Sequence, residues 1–177
     1  MQEAPGELEL VREFVNTRNV ERGTDELGGP DELATWLEEH GLDSGGTPGP
    51  ADVLAARKLR EAIRALLLEN NGVSVRKEAA LTLNRTAQRA GLGLSFDPGG
   101  GARLGPSAGG VDGALGHVLA VVATAMAAGT WSRLKACRAE DCRWAFYDRA
   151  RNHSRQWCSM AVCGNRTKAR AYRRRHA

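Results

Sequence analysis

The sequence predicts a mainly α protein with small β-hairpins, in which a helical N-terminal domain (residues 1–132) precedes a small C-terminal module (residues 133–177). Apolar residues recur at helical spacing through most of the N-terminal domain, which indicates helices packed around a shared core. All four cysteines lie between residues 137 and 163. The module carries thirteen Lys and Arg against three acids, a net charge of +10, whereas the N-terminal domain has a net charge of −6. The chain therefore divides into an acidic helical domain and a basic module that contains the cysteines.

Apolar periodicity places five helices in the N-terminal domain. In the first, Leu8, Val11, Phe14 and Val15 fall on one face. The third is the clearest, with its arginines facing outward, and Ser74 is suited to cap the fourth. The predicted helices span residues 7–20, 30–40, 51–70, 74–90 and 114–134.

Glycine-rich segments separate these helices. Residues 43–50 contain too much Gly and Pro to continue an element, so they form a loop. Residues 91–96 and 102–104 flank a flexible turn and are typical of a short β-hairpin. The last helix is very apolar, but its uncharged run is only about 15 to 20 residues and contains His117, so we predict a core helix and no membrane span.

A polar group, Asn16, Thr17 and Arg18, ends the first helix. Converging donors of this kind can bind a small anionic ligand. Asn and Thr also commonly satisfy backbone groups at helix ends, and Arg18 has acids nearby in the sequence, so we favour a structural role. Trp36, on the second helix, has two similar interpretations: an aromatic ring buried for its area, or a ring on which a ligand stacks.

The four cysteines occur as two pairs. Cys137 and Cys142 form a C-x4-C pattern, Cys158 and Cys163 repeat it, and fifteen residues separate the pairs, enough for the chain to fold back. Four thiolates brought together in this way suit one tetrahedral Zn²⁺, which accepts sulfur at about 2.3 Å. The alternatives are an iron–sulfur cluster, unligated structural cysteines and a pair of disulfides.

Two features argue against disulfides. The N-terminus carries acids and has no apolar run, so we expect no secretory signal and a reducing, cytoplasmic location. The cysteines are also clustered, which is typical of a ligand set. Four cysteines complete the tetrahedron, as in structural zinc sites, whereas catalytic zinc keeps a position for water. Since the sequence also has no paired carboxylates and no Ser/His/Asp set, we predict that the protein is not an enzyme.

The order of elements in the module predicts a treble-clef-like zinc finger. The first cysteine pair forms a knuckle, and residues 143–147 alternate as a strand that we expect to pair with residues 156–157. A helix then begins after Ser159 or near Asn165. Three aromatic residues supply the small core of the finger: Trp144, Phe146 and Trp157. A module of about 45 residues needs its metal for stability.

The arginines of the module indicate nucleic-acid binding. Lys and Arg neutralise backbone phosphates and release condensed counterions, and here they continue at helical spacing after Cys163. The alternative is a solvated charged surface or a disordered basic end. We predict backbone contacts from Arg151, Arg155, Arg166, Lys168, Arg170 and Arg173.

The stretch Arg-Gln-Trp-Cys-Ser-Met-Ala-Val-Cys-Gly-Asn-Arg, residues 155–166, resembles the CGNR zinc finger, which is named for the run at residues 163–166. In that family the finger follows a domain called ABATE, and the pair is described as a stress-induced transcription regulator. The front of the chain is similar to the opening of ABATE in residues 14–18 and 31–37. Glu13 departs from the family pattern, which has Asp before this run. The resemblance implies a cytoplasmic DNA-binding regulator.

We therefore predict a DNA-binding transcription regulator with a Zn(Cys)4 finger and an N-terminal domain that senses a ligand or a partner. Two other classes of protein remain open. One is an adaptor in which zinc stabilises a protein-interaction module, and the other is an RNA-binding protein, which the same charge pattern permits. A homodimer would suit a DNA target with two half-sites.

Overall fold

The computed structural model describes residues 3–74 and 77–176, apart from the Lys77 side chain. This part of the chain contains six α-helices and three antiparallel strand pairs, which confirms the predicted mainly α class with small hairpins. The helices are α1 (Leu8–Asn16), α2 (Pro30–Glu39), α3 (Pro50–Glu69), α4 (Lys77–Arg89), α5 (Gly110–Ala127) and α6 (Asn165–His176). The strands are β1 (Arg18–Asn19), β2 (Thr24–Asp25), β3 (Gly93–Phe96), β4 (Ala102–Gly105), β5 (Leu134–Ala136) and β6 (Ala145–Tyr147).

Helix α5 lies at the centre of the N-terminal domain, in contact with α1, α3 and α4. Its length and composition would allow it to cross a membrane, but most of it is buried inside the domain. A Cβ at Gly116 would lie 2.4 Å from the Ala90 Cβ, so only glycine lets α5 pass this close to the end of α4. The helix is a core helix, as its sequence predicts.

The predicted apolar face of α1 is buried, since Leu8, Val11, Phe14 and Val15 are all at most 5% exposed. The helix ends at Asn16, earlier than the predicted residue 20. The chain leaves the helix there because residues 18–25 form the β1–β2 hairpin. The Glu26 amide closes this hairpin by donating to the Thr17 carbonyl at 2.8 Å.

Both predicted ends of the fifth helix also differ from the structure. Helix α5 begins at Gly110 and ends at Ala127, where the sequence predicts 114–134. It stops because Gly129 takes a left-handed conformation (φ 70°) and the Thr130 amide donates back to the Ala125 carbonyl at 3.0 Å, which caps the helix. The predicted start of the fourth helix at Ser74 leads into residues 75–76, which lie outside the described residues.

The strand β6 pairs with β5, in the register Leu134↔Tyr147 to Ala136↔Ala145. The predicted pairing of this strand with residues 156–157 is wrong. The connections from β6 to these two candidate partners are equally long, residues 137–144 and 148–155, so loop length does not decide between them. Leu134 and Ala136 are fully buried (0% exposed), whereas residues 156–157 are only half-buried. Strand β5 is therefore favoured as the partner because its side chains fill the shared core.

One hydrophobic core runs through both parts of the chain. Leu134, Ala136, Ala145 and Tyr147 of the C-terminal module belong to the same buried cluster as the apolar residues of α1, α3 and α5. The module is therefore docked on the helical domain through its β5–β6 hairpin.

Candidate metal centre and basic helix

The first cysteine pair lies in the connection of the β5–β6 hairpin. The Cys137 amide donates to the Trp144 carbonyl at 2.9 Å, which extends the strand ladder by one bond. The amides of Cys142 and Arg143 both donate to the Ala139 carbonyl, at 3.0 and 3.1 Å. Arg143 takes a left-handed conformation (φ 54°), so the chain turns tightly and forms the predicted knuckle.

The second pair lies where the chain enters α6. A π-helical turn, Met160–Gly164, follows Ser159, whose hydroxyl accepts the Val162 amide at 3.3 Å. The Gly164 amide donates to the Ser159 carbonyl at 3.1 Å. This wide turn places the buried Cys163 beside the half-buried Cys158, and it leads directly into the predicted C-terminal helix.

The structure brings all four thiols together. Their sulfur atoms lie within 4.8 Å of one another. The Sγ of Cys158 is 3.6 Å from that of Cys142 and 3.7 Å from that of Cys163. A tetrahedron with metal–sulfur bonds of about 2.3 Å has edges of about 3.8 Å, so the cluster fits a single thiophilic metal such as zinc.

The thiols affect one another's ionisation. Hydrogen bonds from the thiols of Cys142 and Cys158 lower the pKa of Cys137 to about 2. The hydrogen bond with Cys137 in turn raises the pKa of Cys142 to about 12, and the pKa of Cys158 is raised as well for the same reason. Without a metal, these hydrogen bonds favour a thiolate at Cys137 over thiolates at Cys142 and Cys158. A divalent cation is needed to hold all four as thiolates.

An apolar shell surrounds the thiols. Phe146 is 2% exposed and belongs to one buried cluster with three of the cysteines, while Trp144, Trp157 and Cys158 pack against it. The three aromatic residues thus form the small core predicted for the finger. Their burial shields the metal position from water, which stabilises thiolate ligation.

Two family models match the chain. The ABATE model, with the description "Putative stress-induced transcription regulator", matches residues 8–130. The chain belongs to this family. The CGNR zinc finger model matches residues 133–176, so both resemblances seen in the sequence are confirmed. No curated protein matches the chain by sequence similarity.

Arg166, the last residue of the CGNR run, links the metal centre to the ABATE domain. Its Nη2 lies 3.6 Å from the Cys163 Sγ, and its Nε lies 3.3 Å from the Asp141 carboxylate. Its Nη1 lies 2.6 Å from the carboxylate of Glu21, in the turn between β1 and β2. The hydrogen bond with Glu21 is the main cause that raises the pKa of Arg166. A guanidinium in this place offsets the negative charge of metal-bound thiolates.

A buried ion pair shapes the loop between the cysteine pairs of the CGNR finger. Lys135 and Asp148 are 4% and 0% exposed, and the Lys135 Nζ lies 2.8 Å from the Asp148 Oδ2. Asp148 also accepts the amides of Ala150 (2.9 Å) and Arg155 (3.0 Å). Burial alone raises the pKa of Asp148, but the hydrogen bonds from Lys135 and the amides outweigh it and hold this pKa below its ordinary value.

Asn16 of the ABATE domain has a structural role. It is 6% exposed, its Nδ2 donates to the Ala145 carbonyl at 3.0 Å, and its Oδ1 accepts the Ala145 amide at 2.7 Å. The side chain thus extends the sheet edge at β6. Arg18 points elsewhere and pairs with Asp25 at 3.6 Å. Asn16 and Arg18 thus both have partners within the protein.

Trp36 has most of its surface covered. It is 5% exposed, its ring lies 5.3 Å from that of Phe14 between centroids, and it stacks on His40 at 4.0 Å. The Trp36 ring therefore belongs to the hydrophobic core of the domain.

Two further side chains hold the CGNR finger, and neither was singled out from the sequence. Arg64 donates to the Arg143 carbonyl at 2.8 Å, and its burial lowers its pKa. Asn71 donates to the carbonyls of Ala136 (2.8 Å) and Gln156 (2.9 Å). The prediction that the α3 arginines face outward is wrong for Arg60 and Arg64, which are 1% and 4% exposed. Arg64 is buried because it donates to the knuckle, and Arg60 because its Nη1 lies 2.6 Å from the Asp25 carboxylate.

Four of the six residues predicted to contact nucleic acid are exposed. Lys168, Arg170 and Arg173 lie on α6, and Arg151 lies in the loop that precedes the second cysteine pair. No residue of α6 is buried. This helix follows the metal centre and presents most of its basic side chains, Lys168, Arg170, Arg173, Arg174 and Arg175, to solvent.

The other two predicted contacts, Arg155 and Arg166, are partly buried. The Arg155 guanidinium donates to the carbonyls of Trp157 (3.0 Å) and Cys158, and it lies 5.2 Å from the centre of the Phe146 ring. Like Arg166, it is engaged inside the finger and supports the metal centre.

Proposed function

We propose that the protein is a cytoplasmic, stress-responsive transcription regulator that binds the DNA backbone through α6, with one Zn²⁺ folding its CGNR finger. The observation that carries this proposal is the charge of α6. Its twelve residues include six Lys and Arg and no acid, and none of them is buried. Like charges three or four residues apart on a helix repel each other. The phosphates of a nucleic acid relieve this repulsion and release counterions when they bind.

Zn²⁺ is the metal that we assign to the thiol cluster. Soft thiolate donors in a tetrahedral arrangement favour zinc over the hard cations magnesium and calcium. Four protein ligands leave no position for a reacting water, so the metal has a structural role. Because α6 begins two residues after Cys163, the ion fixes the start of the basic helix relative to the rest of the finger.

For the ABATE domain, we propose that an effector binds in a cleft of about 550 Å³ between the β3–β4 hairpin and α5. The lining combines apolar residues such as Leu94 and Val121 with the polar residues His117 and Thr124. This mixture is common in small-molecule sites. Helix α5 continues through a short 3-10 turn into β5, so a ligand that displaces α5 would also displace the finger.

The test is binding of duplex DNA by the full zinc-loaded chain over a series of salt concentrations. About five phosphate contacts from α6 should give a log–log slope of roughly −4 to −5. A variant with Lys168, Arg173, Arg174 and Arg175 changed to Gln should lose most of that slope. A duplex RNA of the same sequence, measured in parallel, distinguishes DNA from RNA because its helix is A-form and carries 2′-hydroxyls.

The matched control removes the same charge from the ABATE domain. Arg22, Lys58, Arg85 and Arg103 are exposed, and their replacement by Gln should leave the slope unchanged. A chain cut before the finger is unsuitable because β5 and β6 supply buried residues to the core of the domain. If the α6 variant binds DNA as tightly as the wild type, the regulator does not use this helix. If no nucleic acid binds at all, the finger is a protein-interaction module.

A further inference from the structure

A cleft of about 480 Å³ lies between the first cysteine knuckle and α6. Its polar lining consists of Arg138, Glu140, Thr167, Arg170, Arg173 and Arg174. Four of these six residues are arginines and one is an acid. The cleft is thus a concave site with a positive lining, formed by two parts of the finger.

The ABATE domain fixes the arginine on the knuckle side. The Arg138 Nε donates to the Asn71 carbonyl at 2.6 Å. The next residue, Gly72, has a φ of 76°, and a Cβ there would lie 2.6 Å from the Arg138 Nη2. The left-handed φ favours glycine at this position, and the absence of a Cβ leaves room for the guanidinium against the backbone. The arrangement orients Arg138 before any ligand arrives.

The arginines on the α6 side share one face of the helix. Arg170 lies three residues after Thr167, and Arg173 and Arg174 lie three and four residues after Arg170, so these side chains line one wall of the cleft. Lys168 and Arg175 are exposed on the same helix but do not line the cleft. Helix α6 therefore has a cleft-facing set of cations and a set that faces away.

Acids of the protein balance little of this charge. Asp141 pairs with Arg170 at 2.9 Å, and it also pairs with Arg166. Among the described residues, Arg138, Arg173 and Arg174 have no carboxylate partner. The Thr167 hydroxyl donates to the Cys163 carbonyl at 2.8 Å, which leaves the guanidinium groups as the donors available to a ligand.

We propose that this cleft binds a phosphate group, with Arg138 on one wall and the Arg173–Arg174 pair on the other. Planar guanidinium groups bind phosphate oxygens in pairs of parallel hydrogen bonds, which lysine cannot match. The volume falls in the range of small-ligand pockets, so it can receive a phosphate with its flanking sugar. The inference rests on the proposed function, since it places a backbone phosphate of the bound nucleic acid here. A free phosphorylated ligand would have the same chemistry.

Two measurements on the full zinc-loaded chain test the proposal. The first titrates inorganic phosphate and follows the arginine Nε–Hε signals by NMR, with sodium chloride at equal ionic strength as the control. The signals of Arg138 and Arg174 should shift to saturation while that of Arg175 stays in place. The second measures duplex DNA affinity for single Gln variants. R138Q and R174Q should each weaken binding about tenfold, as the loss of one charge-assisted hydrogen bond implies, and lower the salt slope by about 0.9.

The variants K168Q and R175Q are the comparison within α6, because under the proposed function these residues also contact phosphates, but outside the cleft. Each should lower the salt slope by up to about 0.9, as R174Q does, but weaken binding less than about threefold, because an exposed ion pair contributes less than a contact held in the cleft. K58Q, at an exposed position of the ABATE domain, should change neither the affinity nor the slope. Zinc content and melting temperature are checked for R138Q, since that residue also contacts the ABATE domain. R174Q makes no such contact and keeps the test valid if R138Q is unstable.

The outcomes separate this inference from the proposed function. If DNA binds but R174Q and R175Q weaken it equally, the helix acts as a uniform cation and the cleft proposal fails. If phosphate saturates at Arg138 and Arg174 while no DNA binds, the cleft stands, its ligand is a free phosphate compound, and the DNA-binding function fails. If phosphate shifts all arginine signals alike, the cleft is not a site.

Discussion

The ABATE domain and the CGNR finger are stabilised by different means, although one core runs through both. The domain buries large apolar side chains completely, with Phe14, Leu59 and Ile63 at 0% exposure. In the finger, two of the three aromatic core residues are only half-buried, and the four thiols lie at its centre. The burial of apolar side chains is therefore the main source of stability for the domain. The finger instead depends on a metal and on hydrogen bonds with side chains of the domain.

The metal and the hydrogen bonds from the domain therefore stabilise different features of the finger. The metal shapes the finger itself, because it joins the knuckle to the start of α6. The side chains of Asn16, Arg64 and Asn71 fix its position on the domain, because they satisfy finger backbone groups. Changes to the two kinds of contact should thus have separable effects.

Removal of the metal should have the largest effect. Structural zinc in small fingers contributes on the order of 10 kcal/mol of apparent binding free energy. Without the metal, the raised pKa values of Cys142 and Cys158 disfavour the thiolate form of these two side chains. After chelation we expect the NMR signals of residues 137–143 and 158–176 to lose dispersion while those of α1, α3, α5 and the strands β5 and β6, which share one core, persist. Added zinc should restore them. A finger spectrum that survives in zinc-free protein would show that the metal is dispensable.

The next largest effect should come from D148N, which leaves Lys135 buried without a charged partner. Breaking such a pair costs about 3–5 kcal/mol, and we expect this loss in urea denaturation at pH 7. Because the folded pKa of Asp148 lies below its ordinary value of 3.8, the contribution is fully present above that value and declines as the pH falls through the lower folded pKa. The difference in the free energy of unfolding between wild type and D148N should therefore stay constant from pH 7 to about pH 5 and become smaller below pH 4.

The apolar control for that comparison is L59A in α3. A buried Leu→Ala change costs roughly 2–5 kcal/mol, and its cost should be the same across that pH range because no titrating group is involved. If the loss of unfolding free energy in D148N is as insensitive to pH as that in L59A, the ionised Asp148 carboxylate does not stabilise the loop.

A smaller effect is expected from N71A, which tests the docking of the finger. The change leaves the carbonyls of Ala136 and Gln156 without their donor, at a cost of about 1–3 kcal/mol. Zinc content should remain at one ion per chain, since no ligand is altered. The control is N84A, at an exposed position of α4, where stability should change by less than about 0.5 kcal/mol. Loss of zinc from N71A would mean that docking and ligation are one event.

The smallest effect should come from E21Q, which frees Arg166 from its partner in the ABATE domain. Exposed ion pairs contribute about 0–1 kcal/mol, so the melting temperature should barely change. DNA affinity should rise by less than about tenfold, because a carboxylate no longer competes with the phosphates and repels them. Weaker DNA binding by E21Q would show that the contact supports the bound state.

The sequence was a good guide wherever one local pattern dominated. The apolar stripe of α1, the β3–β4 hairpin and the paired cysteines were all visible, because periodicity and spacing determine them locally. The partner of β6 was not, since it depends on how Leu134 and Ala136 fit a core built by distant helices. The roles of Arg64 and Asn71 could not be predicted for the same reason. Their hydrogen-bond partners are carbonyl groups of a segment that is distant in the sequence, and the helical pattern of α3 contains no information about that segment.

The most direct test of the account is duplex DNA binding by one full-length sample in three states: zinc-loaded, zinc-stripped and zinc-restored. If zinc organises the basic helix for DNA, binding should be strong in the first state, at least about tenfold weaker in the second as a disordered basic segment loses its fixed phosphate contacts, and recovered in the third. Equal affinity in all three states would contradict the account, because α6 would then bind as a charged chain end that needs no folded finger.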